Sequence, residues 1–233
     1  MSKDAVVVIM AGGLGKRMGS NLPKVLHKVS GIPMLCHILL KLKVLANIVN
    51  IRKILIVVGK FKDIIEEELK RFPDFLPDYI FVMQDEPLGT GHAIQCCIPE
   101  LSVYPNSETL ILSGDVPLIR PYTMNKLILI PSPVKIITAK VKEPCGYGRI
   151  LRNGDYFERI KEHKDCSESE LEINEINCGI YAINTAYLCK HLPSLKNNNS
   201  QNEYYLTDII EIIKREEQIE VGTYEMPQED QYE

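Results

Sequence analysis

The chain has 233 residues, 45% apolar and 25% charged, enough to bury a core as one large α/β domain or one domain with a smaller lobe. A net charge of −4 without a long basic tract argues against general affinity for nucleic acid, and no window holds the ~18 uncharged apolar residues of a membrane span. The opening MSKDAVVVIM has too short an apolar segment for a signal peptide and no small-residue cleavage region, so a cytoplasmic location is expected.

Along the chain, apolar runs alternate with helix-period segments. Strands are predicted over 5–10, 53–58, 79–84, 109–113 and 134–141, and helices over 34–48, 61–72, 91–101 and 121–130. In the first helix Leu35, Ile38, Leu39, Leu42, Leu45 and Ile48 form one stripe suited to face a sheet. Strict alternation of strand and helix implies an α/β fold: a Rossmann-like, mostly parallel twisted sheet with helices on both faces and ligands at the carboxyl ends of the strands. After Pro144 the pattern changes. A hairpin is predicted around Asn153-Gly154, then a charged loop, a strand over 176–183 and a helix over 186–195. The polar run KNNNSQNE reads as a solvated loop. A helix over 207–218 follows, with Thr207 as its cap and Asp208 favourable in its first turn, and a strand over 219–226 comes last.

The chemistry concentrates at the strand ends. The first strand runs into Gly12-Gly13-x-Gly15, followed by Lys16, Arg17 and, after Pro23, Lys24. A glycine-rich turn after a buried strand exposes backbone N–H groups, and nearby cations neutralise a polyphosphate. The arrangement suits a nucleoside triphosphate. Neither GxxxxGK[ST] nor GxGxxG fits the spacing, which disfavours an ordinary P-loop ATPase and a dinucleotide dehydrogenase. Gln84 follows the third strand with an amide whose donor and acceptor match the edge of uracil, and Gly89-Thr90-Gly91 then opens a helix. Asp115 ends the fourth strand, where a carboxylate suits Mg²⁺. Glu175 and Asn177 stand in an otherwise apolar strand beside Gly179, and buried polar groups need a reason. The seven cysteines include no CxxC pair and the five histidines no HxH or HExxH spacing, so neither a disulfide framework nor a zinc site is indicated.

Taken in order, MAGGLGKRM, LPKVLH, QDEPLGTGHAIQ, SGDVPLI, EPCGYGRI, EHKD, INEINCGIY and NNNSQNEYYLTDII resemble the uridylyltransferase (pyrophosphorylase) domain of bacterial-type N-acetylglucosamine-1-phosphate uridylyltransferases, over about residues 5–213. The resemblance implies a nucleotide-diphospho-sugar transferase fold, with about 1–140 binding nucleotide and a β-rich lobe over about 141–233 binding sugar. It also implies Mg²⁺-dependent transfer of a uridylyl group from UTP to N-acetylglucosamine 1-phosphate, with release of pyrophosphate. In that family's pattern Ala11, Gly12 and Gly13 bind the nucleotide through backbone groups, and Gln84, Gly89 and Thr90 read the uracil. Arg17 and Lys24 hold the triphosphate and departing pyrophosphate, and Asp115 binds the metal. Gly148, Glu162 and Asn177 contact the acetylated sugar, lined by Tyr205 and Thr207.

Three departures accompany the likeness. Nothing in the chain suits the left-handed β-helix domain of the bacterial enzymes, so neither acetyltransferase activity nor trimerisation by that route is expected. Ser113 stands where the bacterial pattern usually has Tyr, which removes an aromatic wall beside the nucleotide. The family's second metal ligand, an Asn in a Val-Asn segment beyond the last strand, has no counterpart. Either the given chain is shortened there, or Asp115, water and phosphates hold the metal more weakly. Two other readings are a nucleotidyltransferase of different sugar or base specificity, and a catalytically weak nucleotide-sugar-binding regulatory protein.

Overall fold

Ala5, Val6, Val7, Val8 and Ile9 are all fully shielded from solvent, which only a strand covered on both faces achieves. The structure, a computed structural model, describes residues 3–13, 15, 19–73 and 76–231. The first half comprises β1 (Asp4–Met10), a short antiparallel pair β2 (Lys28–Val29) and β3 (Ile32–Pro33), α1 (Met34–Leu45), β4 (Asn50–Val58), α2 (Lys62–Leu69) and β5 (Ile80–Met83). It continues with α3 (Thr90–Gln95), α4 (Ile98–Leu101), β6 (Glu108–Ser113), α5 (Pro121–Leu129) and β7 (Val134–Lys140). The rest comprises β8 (Arg149–Asn153), β9 (Tyr156–Lys161), α6 (Glu168–Leu171), β10 (Glu175–Asn184), α7 (Thr185–His191), α8 (Leu206–Glu217) and β11 (Gly222–Glu225).

The main sheet runs β11-β7-β10-β6-β1-β4-β5, with the β8–β9 hairpin attached through β10. β1 pairs in parallel with β4 and β6, β4 with β5, and β11 with β7. The expected parallel sheet is present, and β10 is the one strand of that path that runs against both its neighbours. Its direction has a geometric result. Asn184 lies opposite Glu108 at the start of β6 and Tyr181 opposite Ile111, so the first residues of β10 arrive at the rim where β6 ends. A parallel strand would have placed Asn177 at the far edge.

Side-chain alternation divides β1 between two cores. Val7 and Ile9 pack with Leu35, Ile38, Leu39 and Leu42 of α1 and with Leu127 of α5, whereas Val6 and Val8 pack on the face holding Ile94, Leu188, Ile209 and Ile213. Each such buried aliphatic side chain contributes about 1.5–3 kcal/mol relative to exposure. The α1 stripe holds as far as Leu45 and then stops: the helix ends there and Ile48 is exposed. The helix expected over 91–101 divides into α3 and α4, because Pro99 lacks the N–H that would continue the ladder. The predicted hairpin forms with Gly154 at φ +60, a left-handed turn position that suits glycine. Thr207 does not cap α8. The helix begins at Leu206, and the Leu206 amide donates to Thr90 Oγ1 at 3.1 Å, a cap supplied by α3.

Candidate active site

At the carboxyl rim of β1, β4 and β6 lies a cavity of about 320 Å³. Gly12, Gly13, Lys24, Gln84, Gly89, Thr90 and Asp115 all line it, so seven of the sequence-predicted residues meet in one place. Ala11 sits just inside the rim, fully buried, and its amide donates to Val57 O at 2.8 Å. Any ligand contact it makes through the backbone therefore falls to its carbonyl. Among the described residues no acceptor is paired with the amides of Gly12, Gly13 or Gly89, which leaves them available to an anion or a base carbonyl. Lys16 and Arg17 lie outside the described residues.

Lys24 is placed by its own turn. Pro23 fixes the entry to a single 3-10 turn, Val25 and Leu26 anchor it in the core, and the Lys24 amide donates to Gly13 O at 3.3 Å. Gly15, at φ +67, passes so close that an added Cβ would lie 2.8 Å from Lys24 Cβ. The Lys24 ammonium donates to Asp115 Oδ2, and Ser113 Oγ donates to the other carboxylate oxygen. Burial opposes ionisation of Asp115, but these two donors more than offset it and hold the carboxyl below its ordinary value. Ser113 thus orients the acidic residue, a role the sequence marked only as a departure. Among the described residues no group of three or more His, Cys, Asp or Glu is placed to hold a metal. One hard carboxylate beside a phosphate-sized cavity fits an ion such as Mg²⁺, whose other ligands are substrate phosphates and water, rather than an all-protein cage.

Gln84 is nearly buried, and both of its amide protons have partners within the protein. Nε2 donates to Gly89 O at 3.0 Å and to His92 Nδ1 at 3.1 Å. The expectation that Gln84 offers both a donor and an acceptor is corrected: only its Oε1 remains for a ligand, and it points toward Gly12.

Four of the five residues assigned to the sugar, Gly148, Glu162, Asn177 and Thr207, form a linked group apart from the cavity lining. Thr207 Oγ1 donates to Glu162 Oε1 at 3.0 Å, and a Cβ on Gly148 would sit 3.6 Å from Glu162 Oε2. The Asn177 amide donates to Gly148 O at 2.9 Å, its side chain donates to Tyr181 Oη at 2.7 Å, and its Oδ1 accepts from Gly179 N at 3.1 Å. Tyr205 is buried, with its hydroxyl accepting from Gln201 Nε2 at 2.9 Å. Burial pushes Glu162 up, opposed by the Thr207 hydroxyl and reinforced by Asp165 and Glu203.

The polar run is a solvated loop as expected, with none of its residues buried, and it also ties the two groups together. Asn199 Oδ1 accepts from the amides of Gln201 and Glu203, each at 3.2 Å, which folds the loop on itself. One side is fixed to the sugar group by Asp165 Oδ1 accepting from Ser200 N at 3.0 Å and Lys164 Nζ donating to Gln201 Oε1 at 2.6 Å. The other side meets the nucleotide group: Gly91 N donates to Tyr204 O at 2.7 Å and Tyr204 N to Leu88 O at 2.8 Å, while Glu203 reaches the cavity wall. Composition concealed this because most of these bonds involve the backbone.

Burial, then the charges of Glu162, Glu211 and Asp165, push Asp208 up to about 6 from an ordinary 3.8. The fold therefore prefers the protonated acid, and its contribution is present below about pH 4 and lost as pH rises through about 6. Asp208→Asn should raise Tm at about pH 7.5 by ~2–4 °C, about 1 kcal/mol after solvent screening, and leave it unchanged near pH 4. Thermal melts across that range check this.

Comparison with known proteins gives a consistent picture. Residues 7–167 match the family model described as a MobA-like NTP transferase domain. The "Probable UDP-N-acetylglucosamine pyrophosphorylase" of Acanthamoeba polyphaga mimivirus is 40% identical over 97% of this chain and 89% of that protein. The "Bifunctional protein GlmU" of Acinetobacter baylyi is 43% identical over 88% of this chain, which spans 43% of that relative. A solved UDP-glucose pyrophosphorylase complexed with UDP-glucose shares the fold, with a TM-score of 0.73, 18% identity and coverage of 97% of this chain and 91% of that one. No helix among the described residues is long and apolar enough to cross a membrane.

Proposed function

The chain belongs to the MobA-like NTP transferase family and is a nucleotidyltransferase, and from that premise we propose that it joins UTP to N-acetylglucosamine 1-phosphate, releasing pyrophosphate and UDP-N-acetylglucosamine. The observation that carries this reading is the convergence of Gly12, Gly13, Gly89, Lys24, Gln84 and Asp115 on one cavity at the sheet's carboxyl rim. The name of the mimivirus relative supplies the sugar. The part over about 1–140 would serve the nucleotide and that over about 141–233 the sugar phosphate, and a cytoplasmic location belongs to the same proposal.

The residues divide the work. Gly12 and Gly13 hold phosphate oxygens through their amides, with the Ala11 carbonyl beside them. Gln84 accepts the N3–H of uracil on Oε1, while Gly89 and Thr90 face the remaining edge. Gly148, Glu162 and Asn177 receive the acetylated sugar, Thr207 fixes the Glu162 carboxyl, and Tyr205 closes the wall. A sugar-phosphate oxygen is already anionic near neutral pH, so its attack on the α-phosphorus needs no side-chain base. Lys24, with Arg17, stabilises the charge that accumulates on the leaving pyrophosphate. Asp115 would hold Mg²⁺, which when bound neutralises phosphate charge.

The test is pyrophosphate release from a panel of nucleoside triphosphates and sugar 1-phosphates. UTP with N-acetylglucosamine 1-phosphate should exceed every other pair by at least ~10-fold, about 1.4 kcal/mol of discrimination. A different leading pair rejects the assignment, and tight product binding without turnover favours a regulatory role.

A further inference from the structure

We propose that His92 is a positioning residue for base selection, forcing Gln84 to present only its carbonyl oxygen to the nucleotide and so selecting uracil against cytosine. The proposal rests on the reading of Gln84 as the base-reading residue. It extends that reading to a side chain that does not line the cavity at all.

The argument is an accounting of lone pairs. A glutamine amide has two donors on Nε2 and acceptor lone pairs on Oε1, and turning it over exchanges them. Gly89 O, a carbonyl that can only accept, lies 3.0 Å from Nε2, and His92 Nδ1 lies 3.1 Å from the same nitrogen. Turned over, the amide would set Oε1 against both acceptors. Two acceptors therefore fix one orientation, and His92 is the member of the pair that a substitution can remove.

This arrangement requires one tautomer of His92. Nδ1 accepts, so in the neutral ring the proton resides on Nε2. Cys96 Sγ lies 4.0 Å from that nitrogen, one turn later on the chain, and the Tyr204 ring packs against the imidazole with centroids 6.3 Å apart. Tyr204 belongs to the loop stitched across α3, so the clamp that joins the two halves of the site also holds the imidazole that orients the base reader.

The consequence for recognition follows from the edge of each base. Uracil offers N3–H, a donor, to the exposed Oε1. Cytosine offers an unprotonated N3, which would place lone pair against lone pair in a nearly dry wall and leave a buried acceptor unpaired. A site built this way rejects the wrong base by far more than the difference in contact area.

The decisive experiment measures kcat/KM for UTP and CTP at saturating N-acetylglucosamine 1-phosphate in the wild type, His92→Leu, His92→Asn and Gln84→Ala. Leucine removes the acceptor, whereas asparagine returns an oxygen close to where Nδ1 stood. His92→Leu should reduce the UTP:CTP ratio by about tenfold or more, with the loss falling on KM for UTP rather than on kcat, and His92→Asn should restore most of the ratio. A reduced ratio in Gln84→Ala with none in His92→Leu overturns the positioning role and leaves the uracil reading intact. An unchanged ratio in both overturns the base-reading role of Gln84 and this proposal with it. Equal losses in His92→Leu and His92→Asn also overturn it, since bulk rather than an acceptor would then matter. Nitrogen-15 NMR of the wild type provides a readout independent of any variant's folding: at about pH 8 the His92 ring should carry its proton on Nε2, and a proton on Nδ1 sinks the proposal.

Discussion

Replacing Lys24 with alanine should lower kcat by ~10²–10³ while changing UTP affinity far less, because in the proposed mechanism the ammonium acts chiefly on charge that appears as pyrophosphate departs. Its turn is fixed by Pro23 and the buried Val25 and Leu26, so the charge stands at the cavity wall before substrate arrives. In the resting protein it is matched by Asp115. The substitution therefore has a second result: Asp115 loses the stronger of the two donors holding its carboxyl low, and that carboxyl rises. Steady-state kinetics together with calorimetric UTP titration separate the two quantities. Equal losses in turnover and binding would reject the transition-state role.

The second large effect is expected from Gly89→Ala. Gly89 holds φ +112 and ψ 174, a region open almost only to glycine, and an added Cβ would lie 2.6 Å from Tyr204 O. Neither problem has an easy escape, since the obstacle is backbone that already accepts from Gly91 N. The variant should lose at least ~2 kcal/mol, lower Tm by ~4–8 °C and raise KM for UTP as the loop lifts from α3. Gly13→Ala is the matched control for packing: among the described residues nothing lies within 4 Å of its added Cβ, so its melt should stay near that of the wild type. Similar destabilisation of both would mean that the loop clamp is not what Gly89 serves.

The legible parts of the molecule were those written in periodicity. The apolar run of β1 and the Leu35-to-Leu45 stripe of α1 need only burial on fixed faces, and both lie where the pattern puts them. Hairpin β8–β9 was equally plain, because the glycine of Asn153-Gly154 supplies the left-handed position of its turn. Boundaries were harder, and Pro99 shows why: one missing N–H splits a helix whose hydrophobic pattern continues through it. In the site, the residues facing the cavity were found through glycine, charge and the ends of strands. The residues behind them were not. Ser113 under Asp115, His92 under Gln84 and Asn199 at the heart of the loop act through partners that no spacing rule connects to them. Their signal is three-dimensional, carried by which donor meets which acceptor after folding.

The strand that runs against its neighbours has a further meaning. Because β10 enters at the rim where β6 finishes, the β8–β9 hairpin before it returns to that rim, beside a cavity lined by the ends of β1, β4 and β6 together with Lys24, Gln84, Gly89, Thr90 and Glu203. Under the proposed function, acceptor choice and nucleotide choice fall largely to separate stretches of polypeptide. Such a scaffold permits one partner to be exchanged by remodelling an insertion, with the machinery for the other left in place.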